Sequence, residues 1–206
     1  MKRAETPKRY LRYGWEALKV TASSLRAEPW SRVWYVVEPH DWSVRWDGYY
    51  IAREARRAGV DVRPTIIPRG VSSQVVHYGS RSLFLYGKRL RCADSNKVAF
   101  TWFHGNEQDT SPRNREMIEA LPVAFERADL VVTSCQTSAA RLTGWGAPKE
   151  RLRVIPLGVD TSTFSPVTPD SKFKMRERLG IPHEALCIGS FQKDGEGWGD
   201  AKSRSM

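Results

Sequence analysis

Apolar and polar positions along this chain follow two periods. Leu11, Trp15, Leu18, Ala22 and Leu25 step by four and three, which marks one face of a helix, and Arg9, Arg12, Lys19 and Arg26 fall largely off it. That face fits either an amphipathic helix packed on its own domain or a helix lying on a membrane surface. From residue 32 onward, short apolar runs alternate with longer amphipathic stretches. The runs predict strands over Arg32–Val37, Val60–Ile67, Gln74–Tyr78, Val98–Phe103, Leu130–Thr133, Leu152–Ile155 and Leu186–Phe191. Between them, helices are predicted over Ser43–Ala58, Arg115–Arg127, Thr137–Leu142 and Asp170–Leu179. The first of these has Val44, Tyr50, Ile51 and Ala55 as its inward residues, and Gly180 closes the last.

Strands alternating with helices of this length imply crossover units, so the expected fold is α/β and Rossmann-like: a mostly parallel sheet with helices on both faces. Strands buried on both sides read as continuous apolar runs, as these do. Ligands of such sheets sit beyond the carboxyl ends of the strands. That rule directs attention to His40-Asp41, Pro68-Arg69-Gly70, Gly79-Ser80-Arg81, His104-Gly105-Asn106, Ser134-Cys135 and Gly158-Val159-Asp160. A basic N-terminal segment (1–28), a main domain (29–184) and the start of a second domain with a Gly- and charge-rich tail (185–206) complete the expected organisation.

Composition narrows the classes. The 206 residues include 8 Trp, 7 Tyr and 7 Phe, ample for a packed core. Three cysteines, an odd number without C-x-x-C spacing, argue against a disulfide scaffold and a zinc ribbon, so a reducing cytoplasm is the expected compartment. No run approaches the roughly 18 apolar residues of a membrane span. The net charge of +10 is unevenly placed: residues 1–100 hold 19 of the 33 Lys+Arg and 9 of the 23 Asp+Glu, and the remainder balances. A polyanionic partner for the first half follows, whether nucleic acid, acidic lipid or a phosphorylated substrate. No reading helix or RNP-type aromatic motif is present, so nucleic acid is the least expected of these. The amphipathic segment Leu11–Leu25 fits an anionic membrane surface better.

The most specific stretch is Val154-Ile155-Pro156-Leu157-Gly158-Val159-Asp160, followed by Phe164 and Pro166. It resembles the VIPNGVD-x-x-x-F-x-P signature of glycosyltransferase family 4, and Arg178-Leu179-Gly180-Ile181-Pro182 continues the likeness. Ala128-Asp129-Leu130-Val131-Val132-Thr133-Ser134 and Phe103-His104-Gly105 resemble two further family strand ends, so the likeness runs from about Arg32 to Phe191. It implies the N-terminal, acceptor-side half of a GT-B architecture, stopping as the C-terminal donor domain opens. The implied reaction moves a sugar from a nucleoside-diphosphate sugar to an acceptor hydroxyl, retaining anomeric configuration and without cofactor or metal. Most donor-site residues of the family have no counterpart here, so the chain alone is expected to turn over little or nothing. The alternative is a non-catalytic basic module that binds an anionic membrane or nucleic acid.

On that resemblance His104 is the candidate catalytic residue, able to hydrogen-bond a sugar or a transition-state oxygen. Its other reading is a structural histidine held by Glu107 or Asp109. Gly105, Asp41, Ser80, Arg81, Ser134 and Lys193 are the candidate substrate-binding residues. Each has a plainer role to set beside it: helix cap for Asp41, Ser80 and Ser134, solvated side chain for Arg81. Gly195-x-Gly197-x-Gly199 near Lys193 has some likeness to a phosphate cradle. The family usually places a glycine-rich loop after its first strand, whereas here the turn is Pro39-His40-Asp41-Trp42-Ser43. Trp42 and Trp46 suit either stacking on a sugar ring or the core.

Overall fold

A computed structural model describes residues 7–85, 92–105, 107, 108 and 110–188. Contacts group the chain into two compact units, residues 1–157 and 158–206.

The first unit holds α1 (Pro7–Leu25), β1 (Arg32–Val36), α2 (Ser43–Arg57), β2 (Asp61–Thr65), β3 (Val75–Tyr78), α3 (Arg81–Leu85), β4 (Lys97–Trp102), α4 (Pro112–Glu119), α5 (Leu121–Arg127), β5 (Leu130–Thr133), α6 (Gln136–Gly144) and β6 (Leu152–Val154). The six strands form one all-parallel sheet in the order β2-β1-β3-β4-β5-β6. Alternate residues of each strand feed opposite faces. On one face Trp34, Val36, Val76, Tyr78, Phe100, Trp102 and Val131 join the larger core, which Leu83, Met117, Leu121, Phe125 and Leu142 cover. On the other, Tyr35, Val37 and Val62 pack with Ala52 of α2 and with Tyr13 and Ala17 of α1. Gly48 lets α2 lie directly on β1, because a Cβ there would overlap Val37 Cγ1.

Several elements differ from the sequence expectation. α1 turns the opposite side to the core: Val20 and Ser24 are buried, while Trp15, Leu18, Ala22 and Leu25 are exposed. Small and polar residues at 17, 21 and 24 allow the close approach, with Ser24 Oγ accepting from Ser72 N and Thr21 lying against Gly70. In α2 the inward residues are Gly48 and Ala52, flanked by half-buried Val44 and Ala55; Tyr50 and Ile51 are exposed. The expected helix 115–127 is two helices, because Pro122 has no N–H to continue the ladder across Ala120. Helix α3 was not anticipated, since five residues are too few for a periodic signal.

In the second unit α7 (Pro169–Leu179) is capped by Thr168, whose hydroxyl accepts from Ser171 N at 3.2 Å. Arg176 donates to the carbonyls of His183 and Ala185 at 2.9 and 2.8 Å, holding the following turn. Asp160 accepts from Ser162 N at 3.0 Å, so its carboxylate closes its own turn. Residues 186–188 are not in a strand; the rest of the expected strand lies outside the described residues.

Candidate functional site

The strand order creates the site. From β1 the chain steps to β2 on one side, and β3 through β6 continue on the other. Connections leave β1 and β3 in opposite directions, which opens a crevice at their carboxyl ends. A cavity of about 740 Å³ lies there, within the range of small-molecule sites. Glu38, His40 and Trp42 line it after β1, Ser80 and Arg81 after β3, and Phe103 and His104 after β4. Asp47 of α2 and Ser111, Arg113 and Asn114 at the start of α4 complete its polar lining.

Arg81 organises one wall. It is 6% exposed, correcting the expectation of a solvated side chain. Its guanidinium stacks 4.4 Å from the Trp102 ring centroid and donates to Asn114 Oδ1 at 2.9 Å. Asn114 is itself buried, and its N–H is capped by Ser111 Oγ. Gly105 passes over Arg81 at φ +114°, a conformation that favours glycine, and a Cβ there would overlap Arg81 Nη1. One buried cation thus ties α3, the end of β4, the turn bearing His104 and the start of α4. His104 itself is exposed at the cavity rim.

The opposite wall carries carboxylates. Glu38 accepts from Ser80 Oγ at 3.4 Å, and Ser80 Oγ in turn accepts from Leu83 N at 3.4 Å, so Ser80 both lines the cavity and caps α3. Asp47 is half-buried, and desolvation raises its pKa above the usual carboxylate value. Glu38 and Asp47 belong to β1 and α2, while Arg81 and Arg113 stand on the α3 and α4 side. Arg81 follows β3, the direct neighbour of β1, and Arg113 opens α4 after β4. The cavity is therefore polarised by element, with carboxylate acceptors on its β1 and α2 side and guanidinium donors on its α3 and α4 side.

The structure brings His104, Gly105, Ser80 and Arg81 together. Asp41 lies apart, paired with Arg45 at 3.3 Å and exposed, and is not part of the lining. Ser134 is half-buried at the end of β5, two strands from the crevice, and α6 is capped at Cys135 instead. Lys193 and the glycines beyond it lie outside the described residues. Trp42 and Trp46 are 54% and 51% exposed, and neither is core. Trp42 lines the cavity. Sequence reasoning passed over Glu38, Asp47, Arg113 and Asn114. Glu38 was findable, being two residues past β1. Asp47 and Asn114 sit inside helices, where only the tertiary packing brings them to the crevice. Among the described residues no group of three His, Cys, Asp or Glu side chains is placed to hold a metal ion.

A single six-stranded parallel sheet with a crevice at its switch point defines a Rossmann-like α/β domain. HepE of Anabaena, solved in complex with UDP, shares this fold with a TM-score of 0.50 over 73% of this chain and 50% of that one, at 13% identity. Residues 72–163 match the family model for Glycosyltransferase Family 4. The chain is 36% identical over 81 residues to the D-inositol 3-phosphate glycosyltransferase of Xylanimonas cellulosilytica, covering 37% of this chain and 19% of that protein. With the protein of that name from Acidothermus cellulolyticus it shares 38% over 85 residues, covering 39% and 18%. The matched regions thus span about a fifth of these relatives' length. Residues 72–163 are therefore similar to part of a glycosyltransferase family 4 domain.

Proposed function

We propose that this chain is the acceptor-side part of a glycosyltransferase that moves a sugar from a nucleoside-diphosphate sugar to an acceptor hydroxyl. The polarised cavity at the β1/β3 switch carries the reading. Glu38 and Asp47 suit the hydroxyls of a sugar or polyol, Trp42 offers a flat apolar face to its ring, and His104 stands at the rim where a reacting oxygen would be held. Gly105 and Ser80 shape the wall between them, and Arg81 fixes the loop that presents His104. The guanidinium side suits a phosphate, and two relatives are named for a phosphorylated polyol, D-inositol 3-phosphate. An acceptor of that class therefore fits best. UDP in the structural neighbour supports a uridine diphosphate donor. Three free cysteines support a reducing, cytoplasmic setting.

Calorimetric titration tests the reading with inositol phosphate, inositol and inorganic phosphate. Preferred binding of the phosphorylated polyol, weakened about tenfold or more by Arg113→Ala and His104→Ala, is expected, since each removes a charge-assisted or polar contact. Binding of none of the three, or binding indifferent to both substitutions, would sink it. Transfer from a panel of nucleotide sugars should be negligible with this chain alone. Robust turnover would mean that the residues present already suffice for the donor.

A second reading, work at the inner face of an anionic membrane, is favoured by the apolar side that α1 turns outward: Trp15, Leu18 and Leu25 are 60%, 65% and 76% exposed.

A further inference from the structure

The outer surface of α2 breaks the ordinary rule for a helix packed on a sheet. Its inner side is small and apolar, Gly48 and Ala52. The solvent side of such a helix should be charged and polar, yet here Trp46, Tyr49 and Tyr50 are 51%, 44% and 47% exposed. Arg53, Arg56 and Arg57 follow on the same side, all exposed. Residues 46, 49, 50, 53 and 57 recur at helical spacing and share one face.

We propose that this face of α2 is where the protein settles on an anionic phospholipid bilayer. The proposal rests on the membrane of the second reading above but places the contact on α2 in place of α1. Tryptophan and tyrosine partition to the boundary between headgroups and acyl chains, with their rings inward and polar edges in the wet layer. Arginine stems lie along the apolar layer while their guanidiniums reach lipid phosphates. The charge is complementary, because the whole net +10 of the chain falls within residues 1–100, the half that contains α2. Glu54 is the one acid in the outer arginine cluster, and it is held by Arg53 and Arg57 at 2.7 and 3.0 Å.

A neutral glycan is the other ligand that exposed aromatics invite. The rings argue against it: Arg53 covers Tyr50 at 5.0 Å, and Arg45 covers Tyr49 at 5.8 Å. A sugar would need those ring faces, whereas a lipid interface uses ring edges, hydroxyls and the guanidiniums themselves. Position matters as well. Trp42, one turn before Trp46, lines the cavity, so α2 on a bilayer would bring the cavity mouth to the headgroup layer. An acceptor anchored in lipid could then enter without leaving the membrane.

Co-sedimentation of the full chain with vesicles tests this, using phosphatidylcholine alone and mixed with phosphatidylglycerol. Binding is expected only to the mixed vesicles and should be released by salt. Arg56→Ser with Arg57→Ser should weaken it by about fivefold per arginine. Trp46→Ser with Tyr50→Ser should weaken it by about tenfold or more. Circular dichroism confirms that each variant is folded, and none of the four residues lines the cavity. Equal binding to both vesicle types would overturn the proposal, as would no binding at all. Loss of binding on Leu18→Ser with Leu25→Ser, with both α2 pairs silent, would move the surface to α1. Retention on a neutral glycan column in place of vesicle binding, abolished by Trp46→Ser with Tyr50→Ser, would assign the face to sugar. Vesicle binding needs neither donor nor acceptor, so its failure leaves the calorimetric test of the cavity untouched.

Discussion

Residues 32–157 and residues 158–188 present opposite relations between sequence signal and packing. The first region is a sheet whose central residues are sealed: Val76 and Phe100 are 0% exposed. Its runs are the commonplace apolar stretches of any parallel sheet. The second region holds much of the most family-specific stretch of the chain, yet Val159 and Phe164 are 64% and 70% exposed and α7 buries no residue. Specificity of a motif measures how rarely its pattern arises by chance. Stability follows apolar area removed from water. Here the two are carried by different residues, and the sharpest word in the sequence contributes least to holding the fold.

The comparison breaks most cleanly by truncating one aromatic in each region. Phe100 is enclosed between Phe84 and Phe125, with ring centroids at 4.8 and 6.5 Å. Phe100→Ala should cost about 3–5 kcal/mol of unfolding free energy, from lost transfer energy and an unfilled cavity. Phe164→Ala should stay within about 0.5 kcal/mol. Urea titration followed by circular dichroism measures both, and similar losses would abolish the contrast.

The sheet also stores a pH dependence. His77 on β3 is half-buried, with Nε2 2.8 Å from Thr101 Oγ1 and its ring 4.7 Å from that of Tyr35. Burial pushes its pKa down to about 4. In the unfolded chain the same imidazole titrates near 6.5, so between those values the unfolded state binds the extra proton. Stability from this site is whole above about pH 6.5 and declines as pH falls toward 4, by about 3 kcal/mol in all. His77→Gln should flatten that part of the stability–pH curve. An unchanged slope would show that His77 does not titrate as described.

How far the sequence reaches is clear from particular elements. The strand Leu130–Thr133 is found where its apolar run predicts it, because burial on both faces leaves a continuous signature. The switch-point rule locates the crevice through the residues after β1, β3 and β4. Orientation is where the reading of single helices fails. α1 has a plain apolar stripe, but the side toward the core is the one with Tyr13, Ala17, Val20 and Ser24. Periodicity identifies a stripe without saying what covers it. The burial of Arg81 was hidden for a similar reason: Trp102, Gly105 and Asn114, which enclose it, are 21 to 33 residues away along the chain.

That enclosure predicts a middle-sized effect on the site side of the comparison. Gly105→Ala places a methyl group on Arg81 in a backbone conformation that alanine adopts reluctantly, at a cost of about 1–3 kcal/mol. Because the same turn carries His104, ligand binding should weaken as well as stability. A melting-temperature drop with unaltered inositol phosphate affinity would show that Arg81 holds the fold without positioning the rim.

A small effect returns to the second region. Phe173 of α7 stacks on His183 with centroids 3.9 Å apart and planes 7° from parallel, and Phe173 is 48% exposed. With half its ring in water, it has little area left to lose. Phe173→Ala should cost about 0.5–1.5 kcal/mol, the range of an aromatic pair. The Arg176 contacts to the carbonyls beyond the helix would still hold the turn in place. Amide exchange at Ile181, whose N–H closes the helix on Arg176 O at 2.9 Å, reads that end directly. A modest rise in its exchange rate is expected, with Val98 and Val131 in the sheet unaffected. Faster exchange in those strands would mean that the two regions unfold as one, and that exposure had misjudged how much the second contributes.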